Sequence, residues 1–113
     1  MKDDLLYVGH IRDAVEHIFE YTKPGKDHFF GDTQCQDAVM MNFGIIGEAT
    51  KKMSSERKDR YPEIPWKKIA GLRDVVIHDY AGMDWRTVWN IIESDLPALH
   101  ATIKKMLTEW QQL

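Results

Sequence analysis

The chain has 113 residues, of which 43% are hydrophobic and 29% charged, and its formal net charge is −3. These values are typical of one globular domain over residues 1–113, and the negative balance argues against a general nucleic-acid coat protein. The single Cys35 excludes an internal disulfide, and we find neither a signal peptide nor the roughly 18 apolar residues that cross a membrane, so we expect a cytoplasmic protein.

The first half of the chain predicts two long helices. Apolar residues spaced by three and four indicate a helix over 4–22, followed by a loop over 26–32. Thr33 and Gln36 fit a capping box that starts a second helix, which runs to about Met53. Gly44 and Gly47 lie inside this helix, and each lowers its stability by up to ~1 kcal/mol relative to alanine. We therefore expect a neighbouring helix to approach closely at these positions. The predicted inward residues are Leu5, Val8, Ile11, Val15, Ile18, Phe19, Val39, Phe43, Ile45 and Ile46.

The third helix is predicted to follow a proline-containing segment. YPEIPW (61–66) cannot lie inside a helix, and Pro65 suits the first turn of a helix from Trp66 to about Tyr80. Gly82 is expected to end that helix.

Two further helices are predicted in the C-terminal part. Asp84 can cap a helix over 85–94, and Asp95 with Pro97 should then restart the chain as a last helix over 96–111. No strand pattern is visible, so we predict an all-α fold, an antiparallel bundle of four to five helices. The predicted inward residues are Val88, Ile91, Ile92, Leu96, Leu99, Ile103, Met106 and Leu107. Among them, the regular stripe on the last helix is predicted to form core or a dimer interface: Leu96, Leu99, Ile103 and Met106.

The segment KKMSSERKDR (51–60) is the best candidate for a local basic face. It contains five cationic residues and only two acidic ones, Glu56 and Asp59. The alternative is an ordinary solvated helix end and loop.

The stretch RDVVIHDY (73–80) combines side chains that could act on a phosphate. Arg73 offers a forked donor set for a phosphate, and His78 can exchange a proton near neutral pH. Without a nearby nucleophilic Ser or Cys, the matching chemistry is cleavage of RNA, in which the 2′-hydroxyl is the nucleophile and no metal is needed. Asp74 lies four residues before His78 and could fix its tautomer.

The spacing from arginine to histidine is a weak signal by itself, since Arg12 and His17 repeat it within an ordinary amphipathic helix. On one helix Arg73 and His78 point about 140° apart, so a long arginine must curl round, or a two-fold dimer must combine two copies. The structural alternative is that Arg73 pairs with an acid on a neighbouring helix, His78 caps a helix end and Tyr80 packs.

A longer segment carries a resemblance to a known family. YPEIPWKKIAGLRDVVIHDYAGMDWRTVW (61–89) resembles the signature of the HEPN superfamily, in its HepT-like toxin branch, which has Arg-x4-His-x-Tyr after an IPW…G-x-R lead-in. AVMMNFGIIGEATKKM (38–53) is similar to the same branch, and with the first helix the resemblance covers nearly the whole chain. The residues that match the motif are Ile64, Pro65, Trp66, Gly71, Leu72, Arg73, His78 and Tyr80.

The resemblance implies a helical homodimer with its active site at or near the two-fold cleft. The implied activity is metal-independent endoribonuclease action on transfer or messenger RNA, without a cofactor. Arg73 and His78 match the catalytic pair, and Asp74 matches the polar residue that commonly follows the arginine. Tyr80 matches the tyrosine that a partner nucleotidyltransferase antitoxin modifies with AMP, and such an anionic adduct would occupy Arg73 and block the RNA phosphate.

Other interpretations remain open. The chain could be a non-catalytic nucleotide- or partner-binding subunit of a two-component nucleotidyltransferase. His10, Asp13 and His17 share one helical face and could supply metal ligands, although exposed polar residues explain them better. Trp85, just past the motif, could stack on a base, although anchoring the bundle is the simpler account.

Overall fold

A computed structural model describes residues 2–79, 82 and 84–111, and at 2, 77–79 and 111 it describes the backbone alone. Within these residues it contains helices and no strands, so the predicted all-α fold is confirmed. The helices are α1 (Lys2–Tyr21), α2 (Lys26–Gly31), α3 (Thr33–Lys52), α4 (Ser55–Asp59), α5 (Trp66–Ala70), α6 (Leu72–Asp79), α7 (Trp85–Asn90) and α8 (Leu96–Gln111), with a π-helical turn, Ile91–Asp95, between α7 and α8.

Helix α3 lies at the centre of the bundle and packs against α1, α2, α5 and α6. Asp4 near the start of α1 contacts Ser54 just after α3, so these two helices run antiparallel. His100 near the start of α8 pairs with Glu16 near the end of α1 at 2.9 Å, so α8 is also antiparallel to α1. None of the described helices is long and apolar enough to cross a membrane.

The predicted apolar faces form the core, with two exceptions. Leu5 and Ile45 are 44% and 42% exposed. On α1 the inward position belongs to Asp4, which is buried against Ser54, and Leu5 lies about 100° round the axis from it. Ile45 is displaced in the same way by Ile46, which is fully buried. The four apolar residues of the stripe on α8 are at most 1% exposed and therefore belong to the core of the protomer: Leu96, Leu99, Ile103 and Met106.

Helix α3 begins with a different cap from the one predicted. Asp32 is the cap: its backbone is extended (φ −128°, ψ 107°), and its carboxylate accepts a 2.9 Å hydrogen bond from the Cys35 amide. Gln36 is buried instead, and its amide donates to the carbonyls of Phe29 and Phe30 at 3.0 and 3.2 Å. The prediction of a loop over 26–32 was wrong. Helix α2 forms there, because Phe29 is fully buried and Gln36 binds the carbonyls at the end of that helix.

The helix predicted from Trp66 to Tyr80 is divided into α5 and α6. Gly71 separates them with a tightened turn (φ −66°, ψ −14°), which agrees with the low helix propensity of glycine. The hydrogen bonds continue across it, from the Gly71 amide to Lys67 and from the Val75 amide to Gly71. The backbone therefore stays hydrogen-bonded from α5 into α6.

The predicted restart at Asp95 and Pro97 is wrong, because helical backbone continues from α7 into α8. The π turn ends with a bond from the Leu96 amide to the Ile91 carbonyl, directly before Pro97. Proline has no amide proton and clashes with the carbonyl four residues earlier, and the wider turn accommodates both effects. The predicted cap of α7 is confirmed, since Asp84 accepts from the Arg86 amide at 3.0 Å.

Asp4 ties the start of α1 to the end of α3. Its carboxylate accepts hydrogen bonds from the Ser54 amide at 2.8 Å and the Ser54 hydroxyl at 2.6 Å, and the residue is 3% exposed. Burial raises the pKa of Asp4, but the two Ser54 hydrogen bonds and nearby positive charges, including that of Arg57, outweigh it, so the pKa lies below its usual value.

We expect Asp4→Asn to lower the free energy of unfolding by about 2 kcal/mol at neutral pH, since hydrogen bonds to a charged acceptor are lost. Because the folded-state pKa is depressed, this contribution is present above the unfolded pKa and disappears as pH falls through the folded pKa. Urea unfolding from pH 7 to pH 3 measures it, with the exposed neighbour Asp3→Asn as the control. A difference between wild type and Asp4→Asn that persists unchanged at pH 3 would contradict this account.

Candidate active site

Helix α6 approaches α3 at a point where α3 has no side chain. A Cβ at Gly47 would overlap the backbone nitrogen of Arg73, and it would lie 2.7 Å from the Arg73 Cβ and 3.0 Å from the Ala70 carbonyl oxygen. The close approach predicted for the glycines is therefore confirmed at Gly47. A Cβ at Gly44 has nothing within 4 Å, so close packing does not explain that residue. The contact at Gly47 brings Arg73 directly against α3.

Arg73 pairs across this contact with Glu48 of α3. Its Nε lies 2.6 Å from Glu48 Oε2, and the two side chains are 41% and 45% exposed. Arg73 thus pairs with an acid on a neighbouring helix, as the structural alternative predicted. A pair this exposed contributes only ~0–1 kcal/mol, so a phosphate could replace the carboxylate at small cost. The geometry is compatible with both interpretations.

Two lysines of α3 extend the charged surface around this pair. Lys51 Nζ donates to Asp74 Oδ1 at 2.9 Å, and Lys52 Nζ lies 3.7 Å from Glu48 Oε1. Asp74 Oδ1 is also 4.0 Å from a terminal nitrogen of Arg73. We call these five residues the Arg73 patch: Glu48, Lys51, Lys52, Arg73 and Asp74. Three cations face two carboxylates here, and the positive excess favours an anionic ligand.

His78 follows Arg73 on the same helix. The helical backbone of α6 places it about 7.5 Å along the axis and about 140° round it from Arg73. The side chain of His78 and the whole of Tyr80 lie outside the described residues. The catalytic role of His78, its contact with Asp74 and the modification of Tyr80 therefore stay predictions.

The repeated spacing on α1 has different surroundings. Arg12 pairs with its neighbour Asp13 at 3.0 Å, and His17 is exposed in the middle of the helix. His10, Asp13 and His17 line a shallow groove between α1 and α3. Among the side chains that the structure describes, no three His, Cys, Asp or Glu residues come together closely enough to hold a metal ion. All three residues are exposed at the surface of α1.

The tryptophans near the motif anchor the bundle. The half-buried ring of Trp85 meets Phe29 edge-on, with ring centroids 5.8 Å apart. The Trp66 indole donates to the carbonyls of Lys58 and Tyr61, each at 3.0 Å. Both rings have a structural role that accounts for their positions.

No sequence pattern indicates a role for Glu48, because its partner Arg73 is 25 positions away and the pair forms only when α6 packs on α3. One signal was available. A glycine inside a helix indicates close approach of another element, and the residue after Gly47 is a natural contact for whatever approaches.

Residues 11–106 match the family model described as Ribonuclease HepT-like, and the chain therefore belongs to that family. A Thermococcus cleftensis protein named "Probable ribonuclease HepT" is 38% identical over 101 residues, covering 88% of this chain and 92% of the relative. A Caldanaerobacter subterraneus protein named as a candidate RNase is 34% identical over 108 residues, covering 95% of this chain and 96% of the relative.

One relative is a longer protein. A Methanocaldococcus jannaschii protein named as a gamma-glutamylcyclotransferase and candidate RNase is 40% identical over 109 residues. The match covers 96% of this chain but 49% of that protein, so the chain spans about half of its length. No solved structure matches the chain significantly. The family membership agrees with the resemblance found in the motif.

Proposed function

We propose that this protein is a metal-independent endoribonuclease in which Arg73 and His78 act on the scissile phosphate. The observation that carries the proposal is the position of Arg73, which is partly exposed, is placed by the contact of α6 with Gly47, and lies in a patch with excess positive charge. Membership of the Ribonuclease HepT-like family and the names of the relatives support RNA as the substrate.

The proposed reaction uses the 2′-hydroxyl of the RNA as the nucleophile. Its oxygen attacks the adjacent phosphorus, the bond from phosphorus to the 5′-oxygen breaks, and the products are a 2′,3′-cyclic phosphate and a 5′-hydroxyl. His78 removes the proton from the nucleophile or delivers one to the leaving oxygen. Arg73 exchanges Glu48 for the phosphate and stabilises the negative charge that develops on it. A homodimer would bring two copies of this pair to one cleft.

The regulation that we propose follows from the resemblance of the motif to toxin–antitoxin ribonucleases. A cognate nucleotidyltransferase antitoxin would transfer AMP to the hydroxyl of Tyr80, with release of pyrophosphate from ATP. Tyr80 is seven residues after Arg73 in the sequence, a separation equal to about two turns of an α-helix. The phosphate of the AMP group attached to Tyr80 would then compete with the RNA phosphate for Arg73.

The direct test is cleavage of total transfer RNA by the purified wild-type protein in the presence of EDTA, with mapping of the RNA ends. The expected products carry a 2′,3′-cyclic phosphate. Intact mass must show that Tyr80 is unmodified. If an unmodified protein leaves RNA intact, the proposed activity is wrong.

For the regulatory site we expect Tyr80→Phe to keep the fold and the nuclease activity but to resist modification, because it lacks the hydroxyl that accepts AMP. Co-expression with a cognate nucleotidyltransferase, followed by intact-mass measurement, checks this. A Tyr80→Phe protein that gains the same mass as wild type would place the modification on another residue.

The second candidate function is a non-catalytic nucleotide- or partner-binding subunit of a two-component nucleotidyltransferase. The short, partly exposed pair between Arg73 and Glu48 favours it, since an arginine held at the surface in this way can bind a nucleotide or dock a partner without cleaving RNA. Under this alternative, wild type and His78→Ala leave RNA equally intact.

A further inference from the structure

A second cationic site lies at the end of the bundle, where the basic segment 51–60 meets the last turns of α8. A pocket of about 230 Å³ opens there. Its walls come from α4, from the residues just after it and from α8. The residues that line it are Arg57, Arg60, Tyr61, Lys105, Glu109 and Trp110.

The pocket combines cations with an aromatic surface. The guanidinium carbon of Arg57 lies 4.0 Å from the centre of the Trp110 ring, and Lys105 Nζ lies 5.9 Å from the centre of the Tyr61 ring. Such stacked arginines and aromatic rings receive nucleobases, while neighbouring cations hold the phosphates between them. Arg60 is exposed at the same pocket.

The acids near the pocket are already occupied in part. Glu109 lines the pocket and accepts a hydrogen bond from the Tyr61 hydroxyl. Burial raises the pKa of Tyr61 to about 12, with help from the hydrogen bond to Glu109 and from its charge, so the phenol keeps its proton. Glu56 pairs with Arg60 at 3.2 Å, but the two side chains are 78% and 57% exposed, and this pair is weak. Three cations and one carboxylate line the pocket, which leaves it positive.

The position of the pocket connects it to the Arg73 patch. Glu48 and Lys52 belong to that patch, and about 6 Å of α3 separates them along the helix axis. Helix α4 starts at Ser55, three residues after α3 ends at Lys52. Arg57, which lines the pocket, is therefore only five residues after Lys52 of the patch, so the two cationic sites are adjacent along the chain.

We propose that the pocket formed by Arg57, Arg60, Lys105 and Trp110 binds single-stranded RNA next to the cleaved phosphate. A backbone phosphate lies between Arg60 and Lys105, and a base stacks beside the Arg57–Trp110 pair. This inference rests on the proposed function, because it assigns a second contact to the same RNA. It also gives the basic segment a role in holding substrate.

The test measures binding rather than cleavage. A short, fluorescein-labelled single-stranded RNA with 2′-O-methyl groups cannot be cut by its own 2′-oxygen, and fluorescence anisotropy gives its Kd over a range of salt concentrations. Lys105→Ala is expected to weaken binding roughly fivefold and to reduce the slope of log K against log salt by about 0.7, the value for one phosphate on a single strand. Adding Arg60→Ala should weaken binding further and reduce the slope again.

Lys104→Ala is the matched control. Lys104 is the preceding residue on α8, is exposed, and does not line the pocket. Lys104→Ala removes the same charge at a position outside the pocket. We therefore expect less than a twofold change in Kd and an unchanged salt slope. Circular dichroism must show equal helicity for both variants.

Equal effects of Lys105→Ala and Lys104→Ala would overturn the inference, because the attraction would then be diffuse. Absence of RNA binding by wild type would also overturn it. Cleavage of unmodified RNA by wild type is scored separately. If wild type cleaves RNA but its RNA binding does not depend on Lys105, only the proposed binding pocket is refuted. If RNA binding depends on Lys105 but wild type does not cleave RNA, only the proposed function is refuted.

Discussion

Arg73→Ala is expected to lower the rate of RNA cleavage on the order of a hundredfold to a thousandfold, which is the typical effect of removing one donor to a developing oxyanion. The fold should persist, because the pair of Arg73 with Glu48 is more than 40% exposed on both sides and contributes little stability. His78→Ala should have a similar effect, since general acid–base catalysis contributes roughly a hundredfold to ten-thousandfold. Single-turnover cleavage of transfer RNA, with helicity and dimerisation measured in parallel, checks both variants.

The chain contains its own control for this experiment. Arg12 and His17 have the same spacing on α1, and Arg12 is also paired with an acid at the surface. Arg12→Ala removes the same charge without touching the Arg73 patch and should leave the cleavage rate close to that of wild type. Full activity in Arg73→Ala would exclude it from catalysis, and loss of helicity in that variant would favour the structural interpretation.

Gly47→Ala is expected to have the second large effect. The added methyl group would overlap the backbone nitrogen of Arg73 and lie 2.7 Å from its Cβ. Backbone cannot rotate away as a side chain can, so α6 must move off α3. Overpacking of this kind costs about 1–3 kcal/mol, and it also displaces Arg73. We therefore expect lower thermal stability together with lower cleavage activity.

Gly44→Ala is the matched control, since it is the same substitution one turn earlier on α3. A Cβ there has nothing within 4 Å, so the better helix propensity of alanine should raise stability by up to ~1 kcal/mol. Thermal unfolding of both variants compares the two positions directly. If Gly47→Ala is as stable as Gly44→Ala, the contact of α6 with α3 does not require a glycine.

The sequence by itself determined the helical class of this protein and most of its core. Spacings of three and four identified the buried faces of α1, α3 and α8, because a helix repeats every 3.6 residues regardless of its neighbours. Local chemistry also determined the cap at Asp84. The motif around Arg73 and His78 indicated the family, because residue identities can be compared without knowing how the helices pack.

Only the tertiary structure decided which of the competing local signals prevailed. Asp32 rather than Thr33 caps α3, since Gln36 is drawn into the core by the carbonyls of α2. Helical backbone passes Pro97 because a π turn precedes it.

Long-range contacts were equally invisible in the sequence. Gly47 and Gly44 are alike in the chain, yet only one meets α6, and the partner of Arg73 is separated from it by 25 positions. The spacing of residues in a sequence indicates contacts only within a turn or two of a helix. Pairing between α3 and α6 depends on how two helices cross, and that is set by packing of the whole core.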